Sequence, residues 1–323
     1  MIKVLSYLMS AILFLLPLVG MSQQDTLIQK LDSLTQQADS AGGQVNNINA
    51  QTYNAYTSLT PASYLKLLGS DLKQQFTKPF HMKKKDWGNL GKFALVAGAL
   101  AFADRPIQRN VAPIITKNRG IAKVSGFITD FGGIYEAYTL AALGTYGLIA
   151  KNQKIQTTTL LATQAFITGG SLERVVKFLS GRTRPAFYAT GEEPRPRFLG
   201  PFAKAARDAP GGRLYGSFPS GHTTVAFAAA TVFALEYRNK PIVPVIAYSA
   251  ASLIGLSRIF ENKHWATDVL AGAAIGFLAG RNVVNNYHRF AKLKSPKSKT
   301  KTSMLININY FNNQLVPGIV CRF

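Results

Sequence analysis

Residues Ser257–Gly280 read SRIFENKHWATDVLAGAAIGFLAG. The second half of this stretch is apolar, and Gly272, Gly276 and Gly280 recur in it at four-residue spacing. On a helix that spacing aligns the glycines on one face, where they let another helix pack closely, in a membrane or in a soluble bundle. The first half is polar. Its His264 and Asp268 are also four residues apart. If both lie on one helix they share a face, one turn from each other. The carboxylate then accepts the imidazole Nδ1–H, leaves Nε2 unprotonated and stabilises positive charge on a reacting ring. A His and an Asp at this spacing also occur as core polar pairs, so the pair alone does not assign a function.

Apolar helical patterning extends outward from this stretch. Six segments carry it, at about 88–103, 134–150, 155–180, 221–238, 241–256 and 265–284. The fold class expected is all-α, a bundle of about six apolar helices. A bilayer span takes about 20 apolar residues, and several of these runs are shorter, so hydropathy alone does not decide how deeply they are embedded. A polar, Pro/Gly/Arg-rich loop at about 181–218 separates the third and fourth segments. It is too long for a simple connector, and such loops are usually functional.

The flanks differ in character. Lys3 followed by an apolar run from Val4 to Val19 reads as a secretory signal peptide or an anchor over 1–22. Residues 23–85 form a polar N-terminal extension with amphipathic helices, one of them at 63–76. The helical bundle occupies 86–285, and 286–323 is a basic tail. Within that tail Ile306, Ile308 and Tyr310 alternate with Asn307 and Asn309, and Asn312–Asn313 offers a turn, the pattern of a short C-terminal β-hairpin.

The chain is 47% hydrophobic and 16% charged, with a net charge of +22. Seven Lys/Arg and no acidic residue lie between Arg281 and Lys301, directly after an apolar segment, which reads as a juxtamembrane basic tail. No aromatic pattern interleaves the charge, so nucleic acid is not the expected partner. The single cysteine, Cys321, excludes a disulfide framework or a cysteine metal site.

Two further clusters carry chemistry. Lys177–Pro185 reads KFLSGRTRP and Phe218–His222 reads FPSGH. Arginine forks bind phosphate oxygens bidentately and lysine adds a point charge. In the second cluster Ser220 suits a helix N-cap and Gly221 leaves room for a ligand. The free N–H groups of a helix N-terminus suit a phosphate, and His222 beside it could protonate a leaving alkoxide.

In combination, K-x6-R-P, P-S-G-H and S-R-x5-H-x3-D resemble the type 2 phosphatidic acid phosphatase family, part of the acid phosphatase and vanadium haloperoxidase superfamily. The motif positions are Lys177, Arg184, Pro185, Pro219, Ser220, Gly221, His222, Ser257, Arg258, His264 and Asp268, within about residues 90–285. The resemblance implies His264 as the nucleophile forming a phosphohistidine, Asp268 as its orienting partner and His222 as general acid. It implies Lys177, Arg184, Ser220, Gly221 and Arg258 as the phosphate ligands, with no metal and no cofactor. Arg182 and Lys263 are accessory charges in this reading, and His81 and His288 surface residues.

The expected function is a metal-independent phosphatase acting on a phosphorylated lipid at the membrane. The alternatives are a soluble periplasmic acid phosphatase of broad specificity and a non-catalytic phospholipid-binding protein. By resemblance the active site faces the periplasm from the inner membrane, which places the basic loops 151–154 and 237–240 inside. Six spans in that orientation conflict with a cleaved signal peptide, which would leave residues 23–87 outside.

Overall fold

The computed structural model describes residues 58–188, 193–201, 216–294, 303–311 and 314–322. The signal or anchor segment 1–22 and most of the polar extension lie outside these residues. The described part is all-α except for a terminal strand pair. Its helices are α1 (Pro61–Thr77), α2 (Lys84–Lys117), α3 (Arg119–Asp130), α4 (Ile134–Ile149), α5 (Gln153–Ser180), α6 (Gly221–Glu236), α7 (Ile242–Phe260) and α8 (Ala266–Lys294).

Among the described residues there are thus eight α-helices, against six apolar segments in the sequence. α1 matches the amphipathic segment expected at 63–76. It starts at Thr60, whose hydroxyl caps the Ser63 N–H, with Pro61 in the first turn. α2 runs past the expected end near residue 103 because Pro106 and Pro113 are accommodated inside it. α3 was not anticipated. The Asn118 side chain starts it by accepting from Gly120 N and Ile121 N.

The centre of the bundle is built on α5, α6 and α8. The glycine stripe does what its spacing suggested. A Cβ added at Gly272, Gly276 or Gly280 would run into the backbone carbonyl of Ser220, Thr224 or Ala228 respectively. α6 and α8 therefore cross backbone to backbone, and Leu161, Ala165, Ala228, Val232, Ala279 and Val283 fill the buried space around the crossing. α1 packs its buried edge through polar contacts instead. Gln164 Nε2 donates to Tyr64 O at 2.8 Å, and Asn286 Nδ2 donates to Asp71 Oδ1 at 2.9 Å.

Large apolar side chains stand outward on α2, α4 and α7, among them Phe102 at 88% exposure and Leu95, Ile149, Val245 and Ile246. Among the described residues α7 is the one helix long and apolar enough to cross a membrane.

Strands β1 (Ser303–Phe311) and β2 (Gln314–Arg322) pair antiparallel, in register from Ser303 opposite Arg322 to Phe311 opposite Gln314. The expected turn at Asn312–Asn313 lies outside the described residues.

Candidate active site

The three sequence clusters meet at one end of the bundle, at the last turn of α5, the first turn of α6 and the turn joining α7 to α8. Backbone contacts bind them to one another. Ser217 N donates to Arg182 O at 3.0 Å and Ser220 N to Asp268 O at 3.0 Å. Trp265 Nε1 donates to Thr183 O at 2.8 Å, and Ser180 Oγ to Phe218 O at 2.7 Å. Each of the three clusters is thereby tied directly to the other two.

His264 is not on a helix. It sits in the turn before α8, which begins at Ala266, so the shared helical face inferred from its spacing to Asp268 does not form. The His264 Nδ1–H donates to the carbonyl of Ser217 at 2.7 Å, while the nearer Asp268 oxygen stands 3.6 Å away. A carbonyl only accepts, so Nδ1 carries the proton and Nε2 keeps its lone pair. The tautomer expected from the sequence is reached through a different acceptor.

Asp268 fails to reach the ring because its oxygens are already engaged. Oδ1 accepts from Arg182 Nη1 at 2.5 Å, and Oδ2 accepts from Trp265 N at 2.9 Å and from the Ser217 hydroxyl. It holds the two residues on either side of the imidazole contact instead of the imidazole itself. Burial alone would raise the Asp268 carboxyl, but His264, Arg182 and Ser217 outweigh it and hold the group below the usual range.

Burial lowers the His264 ring to about 4, assisted by the positive charges of Arg184 and Arg258, while Asp268 pulls the other way. His222, in the first turn of α6, is lowered to about 3, first by burial and then by Arg258, His264, Lys177 and Arg184. Both rings are thus neutral near pH 7 and share Arg184 and Arg258 as neighbouring cations. The Gly132–Gly133 turn lies over His222. A Cβ at Gly133 would stand 3.5 Å from His222 Nε2, and one at Gly132 would crowd the His222 Cβ at 3.0 Å.

The expected phosphate ligands are drawn to the same region. Arg258, in the last turn of α7, is held by Glu261 through Nη1–Oε2 at 2.7 Å. Ser220 occupies the N-cap of α6, but its side chain caps no backbone N–H and instead accepts from Thr223 Oγ1 at 2.8 Å. Lys177 pairs with Glu173. A Cβ at Gly221 would stand 3.0 Å from that same Glu173 carboxylate, so an anionic group already lies against the α6 N-terminus where a phosphate was anticipated.

Several residues here escaped the sequence reading. Arg182, set down as an accessory charge, is buried and bridges Asp268 to Asp104 of α2. Asp104, Glu173, Ser217 and Thr267 were not singled out. Their signal is spatial: Asp104 and Thr267 meet across 163 positions of chain. His288 is not a free surface residue, because its Nε2 lies 2.7 Å from the buried Glu236 carboxylate. His81 is exposed, as expected. Of the loop arginines, Arg207 and Arg213 lie outside the described residues.

A comparison with protein-family models matches residues 156–292 to the PAP2 superfamily. This stretch is similar to the PAP2 superfamily. The PAP2 segment begins in α5 and ends in α8, so it includes all three clusters but neither α2 nor Asp104. Among curated relatives, a lipid A 1-phosphatase of Porphyromonas gingivalis is 54% identical over 72 residues, 22% of this chain and 16% of that protein. A lipid A 1-phosphatase of Rhizobium johnstonii is 29% identical over 191 residues, 57% of this chain and 72% of that protein. A solved transmembrane PAP2-type phosphatidylglycerolphosphate phosphatase from Bacillus subtilis is 22% identical, with a TM-score of 0.42, over 61% of this chain and 92% of that one. The chain thus spans well under two thirds of the first of these relatives and more than two thirds of the second.

Proposed function

We propose that this chain is a PAP2-type phosphatase that hydrolyses a lipid phosphate or diphosphate ester through a phosphohistidine on His264. One observation carries the reading: the His264–Ser217 hydrogen bond fixes the tautomer that leaves Nε2 nucleophilic, among the positive charges of Arg184 and Arg258.

In the first step His264 Nε2 attacks the terminal phosphorus and the bond to the leaving oxygen breaks. His222 gives its proton to that oxygen, so a monoester releases the lipid alcohol and a diphosphate releases the lipid monophosphate. Free of ligand, His222 is held neutral by burial and the surrounding cations. An arriving phosphate dianion offsets those cations, so the ring gains its proton when substrate is bound. In the second step water attacks the phosphohistidine, His222 takes a proton from it, the P–N bond breaks and inorganic phosphate leaves. Asp268, held near the ring, stabilises the positive charge that His264 carries between the steps. Lys177, Arg184 and Arg258 supply the charge that meets the developing phosphoryl oxygens. The scheme calls on no metal.

The lipid class is supported by the relatives, two of them lipid A 1-phosphatases. Attachment to a membrane is supported by the outward-facing apolar side chains of α2, α4 and α7. Orientation is supported by the basic junctions. Lys154 lies in the first turn of α5 and Lys177 in its last, roughly 35 Å apart at 1.5 Å per residue. Lys154 Nζ stands 4.6 Å from the centre of the Tyr237 ring, so the two basic junctions, 151–154 and 237–240, meet at the end remote from His264. Basic junctions at the remote end support the reading that His264 faces the periplasm.

The test is phosphate release from phosphorylated lipids by wild type and His264→Ala, with and without chelator. The reading expects activity that His264→Ala abolishes and chelator spares. Release unchanged in the variant overturns the mechanism, and release abolished by chelator overturns the metal-free scheme.

A further inference from the structure

Asp104 lies in α2, outside the PAP2 segment, and is 1% exposed. Its carboxylate is fully engaged at the start of α8. Oδ1 accepts from Thr267 N at 3.0 Å, and Oδ2 accepts from Thr267 Oγ1 at 2.6 Å and from Arg182 Nη2 at 2.7 Å. Arg182 then gives Nη1 to Thr267 Oγ1 at 2.6 Å and to Asp268 Oδ1 at 2.5 Å. The guanidinium is walled by aromatic rings, with Phe198 at 4.9 Å and Trp265 at 5.7 Å from its central carbon to the ring centroid. One buried cation is therefore shared between two buried carboxylates.

That sharing has an electrostatic consequence. Two carboxylates and one guanidinium leave a net negative charge in the cluster, and the Asp268 end of it faces His264. A guanidinium paired with Asp268 alone would cancel that charge and would be free to tilt. Asp104 prevents both: it divides the attraction of Arg182 and fixes the fork in the plane that meets Asp268. The same α2 surface braces the turn before His264, where Gln108 Nε2 donates to Asn262 Oδ1 at 3.1 Å.

We infer that Asp104 is a positioning residue for the reaction, acting through Arg182 to orient Asp268 and to keep its negative charge available to His264. The inference rests on the phosphatase reading above. It extends the working site beyond the PAP2 segment into α2.

The experiment uses the full-length chain in detergent with a water-soluble phosphate monoester, measuring kcat, KM and the unfolding temperature. Asp104→Asn keeps the shape of the side chain and removes its charge. It is expected to lower kcat roughly 10- to 100-fold, the scale of coupling through one shared partner. KM should stay within about twofold, since none of the proposed phosphate ligands bonds Asp104. In a double-mutant cycle, adding Asp104→Asn to Arg182→Gln should lower kcat by less than about twofold further, because its effect runs through the arginine. If the amide does not fold, Asp104→Ser, which can still accept from Thr267, serves the same comparison. An active wild type with unchanged kcat in the variant overturns the inference alone, as do losses that track the unfolding temperature or that add fully in the double mutant. A wild type that releases no phosphate from any ester overturns the phosphatase reading, and this inference with it.

Discussion

The Nδ1 atom of His264 lies 2.7 Å from the carbonyl of Ser217 and 3.6 Å from the nearer carboxylate oxygen of Asp268. The ring is oriented by a main-chain acceptor, and Asp268 works by holding that acceptor in place through the Ser217 hydroxyl and the Trp265 N–H. This division of labour separates the effects of two substitutions. Asp268→Asn replaces a doubly accepting oxygen with a donor, disturbs Ser217 and Trp265 together and removes the negative charge beside the ring. It is expected to lower kcat by about 10²-fold or more. Ser217→Ala leaves the carbonyl in place and is expected to lower kcat by only about tenfold. Steady-state kinetics of the two variants on one substrate checks the order.

The pH dependence follows from the lowered His264 ring. In the proposed mechanism His264 must be neutral, and its value of about 4 keeps it so well into acid. The His264 contribution to kcat/KM is therefore expected to fall only as the pH drops through about 4, not through the ordinary histidine range. The stability effect has the opposite window. Between the unfolded value near 6.5 and about 4 the unfolded chain binds the proton that the folded chain refuses, so this group makes folding less favourable as pH falls across that range. A pH–rate profile and unfolding temperatures over the same range test both.

His222 is assigned to the leaving group, so its importance should depend on how much help the leaving group needs. His222→Ala is expected to cost about 10² to 10⁴-fold on an alkyl phosphate, and far less on a nitrophenyl ester whose phenolate leaves unaided. Equal losses on the two esters would remove His222 from the acid role.

Gly276 is where α6 and α8 come together at backbone distance. Gly276→Val forces the helices apart and is expected to destabilise the fold by about 1–3 kcal/mol or more. The unfolding temperature in detergent measures it.

The sequence made some of this visible for definite physical reasons. The glycine stripe at 272, 276 and 280 disclosed the α6–α8 crossing because its period is helical. The three clusters disclosed the candidate site because their residue types are chemically specific. Other features were hidden. The end of α2 was misjudged because Pro106 and Pro113 ordinarily stop a helix, yet this one continues to Lys117. α3 was overlooked because its Lys, Ser and Thr residues dilute the apolar pattern. The spacing of His264 and Asp268 suggested a helical pair, and only the start of α8 at Ala266 shows that the ring lies in the turn before it. Asp104 was out of reach because nothing local ties it to Arg182 or Thr267.

The account stands on His264 as the residue that carries the phosphoryl group. The most direct measurement is a rapid acid-free quench of the enzyme turning over a ³²P-labelled ester, followed by mapping of the labelled peptide. The account predicts a base-stable, acid-labile label on His264 that disappears in His264→Ala along with phosphate release. A label on another residue, or undiminished release from His264→Ala, would contradict it.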